Sequence, residues 1–221
     1  MTLQIYWASG SAFSWRVLLA LELKGVPYES KLIQLSQREQ RSPAYLAMNP
    51  RGRVPVLRDG DHVVYESVAC LAYLERRHPA PPLFGGDAQE TGRIWRLVCE
   101  SLAYLDDPVE EVILPLYFGR HEEKRDQIAR AAPRVHDELQ RLEAALAQHP
   151  WLAGTPGPSA AECVIYPFVR SLERAEGKPA AAGFDLPFSP LRQKLPAVAA
   201  WMARVEALPG YERTFPPHWR G

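Results

Sequence analysis

LQIYWASGSAFSWRVLLALELKGVPYESKLIQL, residues 3–35, decides the fold. LQIYW is a short apolar run suited to a buried strand. Residues 14–24 carry Trp15, Leu18, Leu19 and Ala20 at helical spacing, and Gly25 is a natural helix stop. YESKLIQL (28–35) then alternates like a second strand. Strand, helix, strand in that order predicts a βαβ unit with a parallel pair and a right-handed crossover. Three serines, Ser9, Ser11 and Ser14, crowd the start of the helix with no charge among them. In one reading Ser9 and Gly10 make a turn while Ser14 or Ser11 caps the helix. In the other, a hydroxyl beside the positive end of a helix dipole stabilises an anion.

Outward from this unit, MNPRGRVPVLRDGDHVVYESVACLAYLERRHP (48–79) holds two further apolar runs around Asp59-Gly60, a hairpin signal. Ser67 is placed to cap a helix bearing Val68, Leu71, Ala72 and Leu74, which His78-Pro79 ends. The first 80 residues therefore read βαβ followed by ββα, a small mixed sheet. PAPPLFGGDA (79–88) is a linker by composition. Beyond it only helical patterns occur, at about 88–105, 122–148, 160–176 and 191–207, with Pro108, Pro115, Pro133 and GTPGP (154–158) as breakers between or within them. Two domains are expected: residues 1–80 as mixed α/β and 88–221 as all-helical.

Composition narrows the function. Among 221 residues, 26 basic side chains balance 26 acidic ones, so no broad field favours nucleic acid or an anionic membrane. MTLQIYW enters a strand without the pattern of a signal peptide, and no apolar run reaches the length of a membrane span. Cys70, Cys99 and Cys163 are far apart and each sits in an apolar helical pattern, which reads as a buried small hydrophobe in a reducing cytoplasm. Without CxxC, paired Cys/His spacing or HExxH, no zinc site is expected.

Two more stretches bear on chemistry. Pro55 in VPVL lacks a ladder donor, so the run suits an edge strand whose Val54 backbone can pair with an extended ligand. Ser159-Ala-Ala-Glu162 before CVIYPFV is a capping box, a folding device.

SAFSWRVLLALELKGVPYE, NPRGRVPVL, YESVACLAYLERRHP and LAGTPGPSAAECVIYP, in this order, resemble the cytosolic glutathione transferase family across nearly the whole chain. Ser11-Ala-Phe-Ser14 before WRV is similar to the serine-type zeta and theta-like classes, with Ala12 and Phe13 departing from the zeta serine-serine-cysteine run. The resemblance implies a thioredoxin-like α/β N-terminal domain, an all-α C-terminal domain, a homodimer, and glutathione as cosubstrate without a metal. It implies Ser11 as hydroxyl donor to the glutathione thiolate, with Ser9 the alternative and Ser14 the cap. Val54, before a cis Pro55, would hold the cysteinyl backbone. Glu66 and Ser67 would hold the γ-glutamyl end, and Arg53 and Gln40 the glycyl carboxylate.

The magnitudes agree with that role. A thiol of pKa about 8.5 needs roughly 2.7 kcal/mol of anion preference to fall by about two units. A hydrogen bond to a charged acceptor gives about 1.5–3 kcal/mol and a helix N-terminus about 0.3–1. Because a Ser-x-x-Ser site cannot form a disulfide, what remains is to stabilise a thiolate that arrives with the substrate. The expected reaction is attack of that thiolate on a small hydrophobic electrophile. Phe13, Ser101, Tyr104, Leu105, Pro108, Leu114, Tyr117 and Phe118 are the candidate walls for it. Trp95, Val98 and Leu102 beside Arg93 and Arg96 are the candidate dimer face. The alternatives are a zeta-like glutathione-dependent isomerase and a binding or scaffold protein of the same fold without turnover.

Overall fold

The computed structural model describes residues 2–220. Two compact units form: the chain through Leu83 together with the stretch from Leu208 onward, and Phe84–Ala207. The final stretch thus joins the first unit, whereas the sequence reading placed it with the helices. Its aromatics are the reason. Tyr211, Phe215 and Trp219 all lie against Trp15, at centroid distances of 6.2, 5.8 and 5.5 Å.

In the first unit β1 (Leu3–Trp7), β2 (Tyr28–Leu32), β3 (Val56–Asp59) and β4 (His62–Tyr65) form a sheet in the order β2-β1-β3-β4. β1 and β2 are parallel, while β1–β3 and β3–β4 are antiparallel. The expected βαβ–ββα order is therefore present. β3 is an inner strand, not the edge strand inferred from Pro55. Pro55 stands immediately before β3, so its missing N–H costs the ladder nothing.

Helix α1 (Ala12–Leu23) is buried nearly all round, Arg16 included, as befits a helix wrapped on every side. It ends at Lys24, with Gly25 at a φ of 62° beyond it. The Lys24 ammonium donates to the carbonyls of His78 and Pro81 at 2.7 and 2.8 Å and pairs with Glu75. This ties α1 to the end of α3 (Ser67–Arg77), against which it packs. The short helix α2 (Pro43–Met48), capped by Ser42, occupies a polar stretch without a periodic signal.

The second unit holds α4 (Ala88–Glu100), a π-helical turn (Ser101–Leu105), α5 (Asp106–Tyr117), α6 (Arg125–Leu146), α7 (Ala160–Glu176), α8 (Leu191–Lys194) and α9 (Pro196–Glu206); α10 (Tyr211–Thr214) belongs to the first unit. Pro108 and Pro115, read as breakers, lie inside α5. The wide π turn shifts the carbonyl four residues before Pro108 out of the regular ladder, so a residue without an N–H fits there. Pro133 and Pro167 likewise sit within α6 and α7. The capping box forms as expected: Ser159 accepts from Ala161 N at 3.2 Å and Glu162 accepts from Ser159 N at 2.7 Å. Cys70 and Cys163 are buried, but Cys99 is exposed, against expectation, because it falls on the outer side of α4.

Candidate active site

The antiparallel registers Tyr6–Val56 and Val56–Tyr65 set one end of the sheet. The C-terminal ends of β1 and β4 and the approach to β3 converge there. That end carries Ser9-Gly10-Ser11, Val54-Pro55 and Glu66-Ser67.

Ser11 is the N-cap of α1, with its Oγ accepting from Ser14 N at 3.2 Å. Of the two caps open in the sequence, Ser14 and Ser11, the structure has Ser11, not the Ser14 that the resemblance implied. Ser14 is fully buried and instead accepts from Ala8 N at 3.3 Å. Accepting the cap bond uses one lone pair and not the proton, so the half-buried Ser11 hydroxyl keeps its O–H for an acceptor at the helix N-terminus. α1 has no acidic residue at its N-cap or in its first turn, so its dipole is not offset locally, whereas α3 carries Glu66 at its N-cap.

Val54 lies outside the ladder, two residues ahead of β3, and the Val54–Pro55 peptide is cis. Its approach is held from behind by residues the sequence did not single out. The Asn49 amide and the Tyr45 hydroxyl both donate to the Arg53 carbonyl, at 2.8 and 2.9 Å. Asn49 Oδ1 accepts from Arg51 N at 3.1 Å. Gly52, at a φ of 59°, comes so close to the Gln40 carbonyl that a Cβ would stand 2.9 Å from it. Gln40 is thereby set beside the Arg53 loop, and its Oε1 is a buried acceptor with no hydrogen-bond partner among the described residues.

Glu66 takes the N-cap position of α3 that the sequence gave to Ser67, at a φ of 70° and a ψ of 116°. Such a backbone is unfavourable for a residue with a Cβ and marks the junction as constrained. The exposed Glu66 carboxylate lies 3.7 Å from Arg51 Nε, while Ser67 begins α3 and is buried. Behind Ser67 stands Arg16, fully buried, its guanidinium 3.5 Å from Ser67 Oγ and 5.1 Å from the Phe13 ring centroid. Arg16 escaped the sequence reading because an arginine inside an apolar helix period reads as a surface break. Arg53 is exposed.

Of the expected electrophile walls, Ser101, Leu105 and Pro108 are buried within the helical unit, and Tyr104, Leu114 and Phe118 are exposed. Leu114 and Phe118 line a cavity of 520 Å³ there, beside Glu110, Glu111, Arg120 and Lys124. Among the described residues no group of three or more His, Cys, Asp or Glu is placed to hold a metal, and no helix is long and apolar enough to cross a membrane.

The N-terminal domain of glutathione S-transferase matches residues 10–77, and the C-terminal domain matches residues 125–204. Glutathione S-transferase F10 of Arabidopsis thaliana is 34% identical over 186 residues, covering 80% of this chain and 84% of that protein. The maleylacetoacetate isomerase of Pseudomonas aeruginosa is 44% identical over 96 residues, which span 42% of this chain and 44% of the isomerase. A glutathione S-transferase from the Antarctic clam Laternula elliptica superposes with a TM-score of 0.80 at 28% identity, over 99% of this chain and 94% of the clam protein. Architecture, motif order and these likenesses agree: the chain belongs to the glutathione S-transferase family.

Proposed function

We propose that this chain binds glutathione at the sheet end described above and activates its thiol with Ser11 for attack on a small hydrophobic electrophile. The observation that supports this most is the state of the Ser11 hydroxyl. It accepts from Ser14 N at 3.2 Å and so keeps its proton to donate, at a helix N-terminus without a local acid. One such bond plus the dipole supplies about the 2.7 kcal/mol that ionisation at neutral pH requires. Val54 offers its main chain to the cysteinyl residue of the ligand. Ser67 and the α3 N-terminus meet the γ-glutamyl carboxylate, and Glu66 its ammonium. Arg53 and Gln40 take the glycyl end. Retention on immobilised glutathione followed by turnover of an aryl halide tests this reading. Binding without conjugation of any electrophile would instead favour a scaffold role.

A glutathione-dependent isomerase is the second reading, favoured by the likeness to the Pseudomonas aeruginosa maleylacetoacetate isomerase. Isomerisation of maleylacetoacetate without consumption of glutathione separates it from transfer.

A homodimer fits the outer side of α4 and of the π turn after it, where Trp95 and Leu102 are 37% and 45% exposed beside the Arg96–Glu100 pair. Val98, which the sequence reading placed on that face, is fully buried in its own unit. Sedimentation at about twice the chain mass of 24.9 kDa is expected. The compartment we propose is the cytoplasm, on three cysteines spaced too widely to form a disulfide framework.

A further inference from the structure

The end of the chain folds back onto the loop that carries the candidate hydroxyls. Trp15 donates its Nε1–H to Thr214 Oγ1 at 2.8 Å. Arg213 pairs with Glu22, which also accepts from Tyr28 Oη at 2.8 Å. These contacts, with the aromatic packing on Trp15, fasten the final stretch along α1. It finishes at Ser9: His218 Nδ1 lies 2.6 Å from Ser9 Oγ. Gly10 makes the approach feasible. At its φ of 81°, a Cβ would stand 2.8 Å from His218 Cε1 and 3.3 Å from Nε2.

The direction of the Ser9–His218 bond follows from the next residue. Trp219 Nε1 is 3.0 Å from His218 Nε2. An indole nitrogen only donates, so Nε2 is the acceptor in that bond. A neutral imidazole with its lone pair on Nε2 carries its proton on Nδ1. Nδ1–H therefore donates to Ser9 Oγ, and the Ser9 proton is left for another acceptor. A hydroxyl that accepts a hydrogen bond is polarised to donate a stronger one.

We propose that Ser9 is a second hydroxyl donor to the glutathione thiolate, and that His218 and Trp219 are positioning residues that set its proton outward. This rests on the reading of the α1 N-terminus as the thiolate site. Ser9 and Ser11 flank Gly10 on one loop, each with an acceptor site filled by the protein and a proton to give. Two neutral hydroxyls then share an anion that a single serine would hold alone.

The test is the pH titration of bound glutathione, followed by the ultraviolet difference absorbance of its thiolate, in wild type, Ser9→Ala, Ser9→Thr, Ser11→Ala, Trp219→Phe and Ser9→Ala/Trp219→Phe. Trp219→Phe removes the indole N–H and keeps a ring against Trp15. We expect Ser9→Ala to raise the apparent thiol pKa by about half to one unit, a loss of roughly three- to tenfold in thiolate at pH values well below that pKa. Trp219→Phe should give a smaller shift of the same sign, the double variant should match Ser9→Ala, and Ser9→Thr should titrate like wild type. Affinity for S-methylglutathione, which has no thiol proton, should be unchanged throughout. A wild-type titration in Ser9→Ala, with Ser11→Ala shifted, overturns the second donor. A wild-type titration in Trp219→Phe, with Ser9→Ala shifted, overturns the positioning by the chain end. Parallel losses of S-methylglutathione binding mean that the strap only holds the fold, and overturn the proposal too. If wild type shows no thiolate band, the reading beneath it fails first.

Discussion

The Asn49 side chain, 2% exposed, grips the loop ahead of β3 at two points. Its amide donates to the Arg53 carbonyl at 2.8 Å, and its Oδ1 accepts from Arg51 N at 3.1 Å. One buried amide thus fixes both ends of the Arg51-Gly52-Arg53 turn and so sets where the Val54 backbone is offered. Asn49→Ala strips both bonds and leaves buried polar groups short of partners, which costs about 1–3 kcal/mol. Thermal unfolding should show that loss, and the glutathione KM should rise several-fold with kcat little changed. An unaltered KM would detach this brace from the ligand.

The cysteines should separate by burial. Cys99 is exposed and should react with a thiol reagent in the folded protein, whereas Cys70 and Cys163 should wait for unfolding. Burial pushes the Cys70 thiol up to about 12. The folded value lies above the unfolded one, so the native state keeps a proton that the unfolded chain releases. This contribution to stability is whole below pH 9 and is lost as pH rises through that window, by at most about 1.4 kcal/mol per unit. Tyr117, raised to about 12 by burial, adds to the same fall above its ordinary value. Cys70→Ala should flatten the alkaline limb of the stability curve between pH 9 and 10, where the tyrosines are still protonated. A limb of unchanged slope would show that the thiol ionises in the folded protein.

Ser159→Ala should cost roughly 1 kcal/mol of stability and leave kcat alone. Ser159 Oγ both accepts from Ala161 N and donates to Glu162 at 2.8 Å, and Glu162 also receives Leu152 N at 2.8 Å. The box therefore joins the 152 turn to α7, inside the helical unit. Lost activity at an unchanged melting temperature would contradict this role.

What could be read beforehand follows the physics of each signal. The βαβ–ββα order and the capping box were legible because periodicity, Asp59-Gly60 and Ser-x-x-Glu are local codes. The edge placement of β3 was misread because Pro55 reports a missing donor, not a strand order. Pro108 was misread because a π turn has no sequence mark, and Pro115 because the Glu111 carbonyl it leaves without a helix donor accepts from Gln127 Nε2 on α6, a contact across the fold. At the site, Ser11, Val54 and Ser67 came from motifs, whereas Asn49, Arg16 and His218 came only from contacts across the fold. His218 lies 209 positions from Ser9, and no local pattern joins them.

Ser11→Ala bears on the central reading. Ser11 both caps α1 and keeps a proton to donate, so two losses are expected. The cap costs about 0.5–2 kcal/mol of stability. The thiolate loses one charge-assisted hydrogen bond worth about 1.5–3 kcal/mol, so turnover at neutral pH should fall by roughly one to two decades. Glutathione affinity should stay within a few-fold of wild type, because Val54, Glu66 and Ser67 do not touch the thiol proton. The rising limb of the pH–rate profile should move about one to two units toward the free-thiol value. Ser11→Gly separates the two roles, since glycine at an N-cap gives up only a few tenths of a kcal/mol but has no side-chain donor. It should regain stability without regaining rate. If Ser11→Gly recovers turnover together with stability, Ser11 is a cap and nothing more.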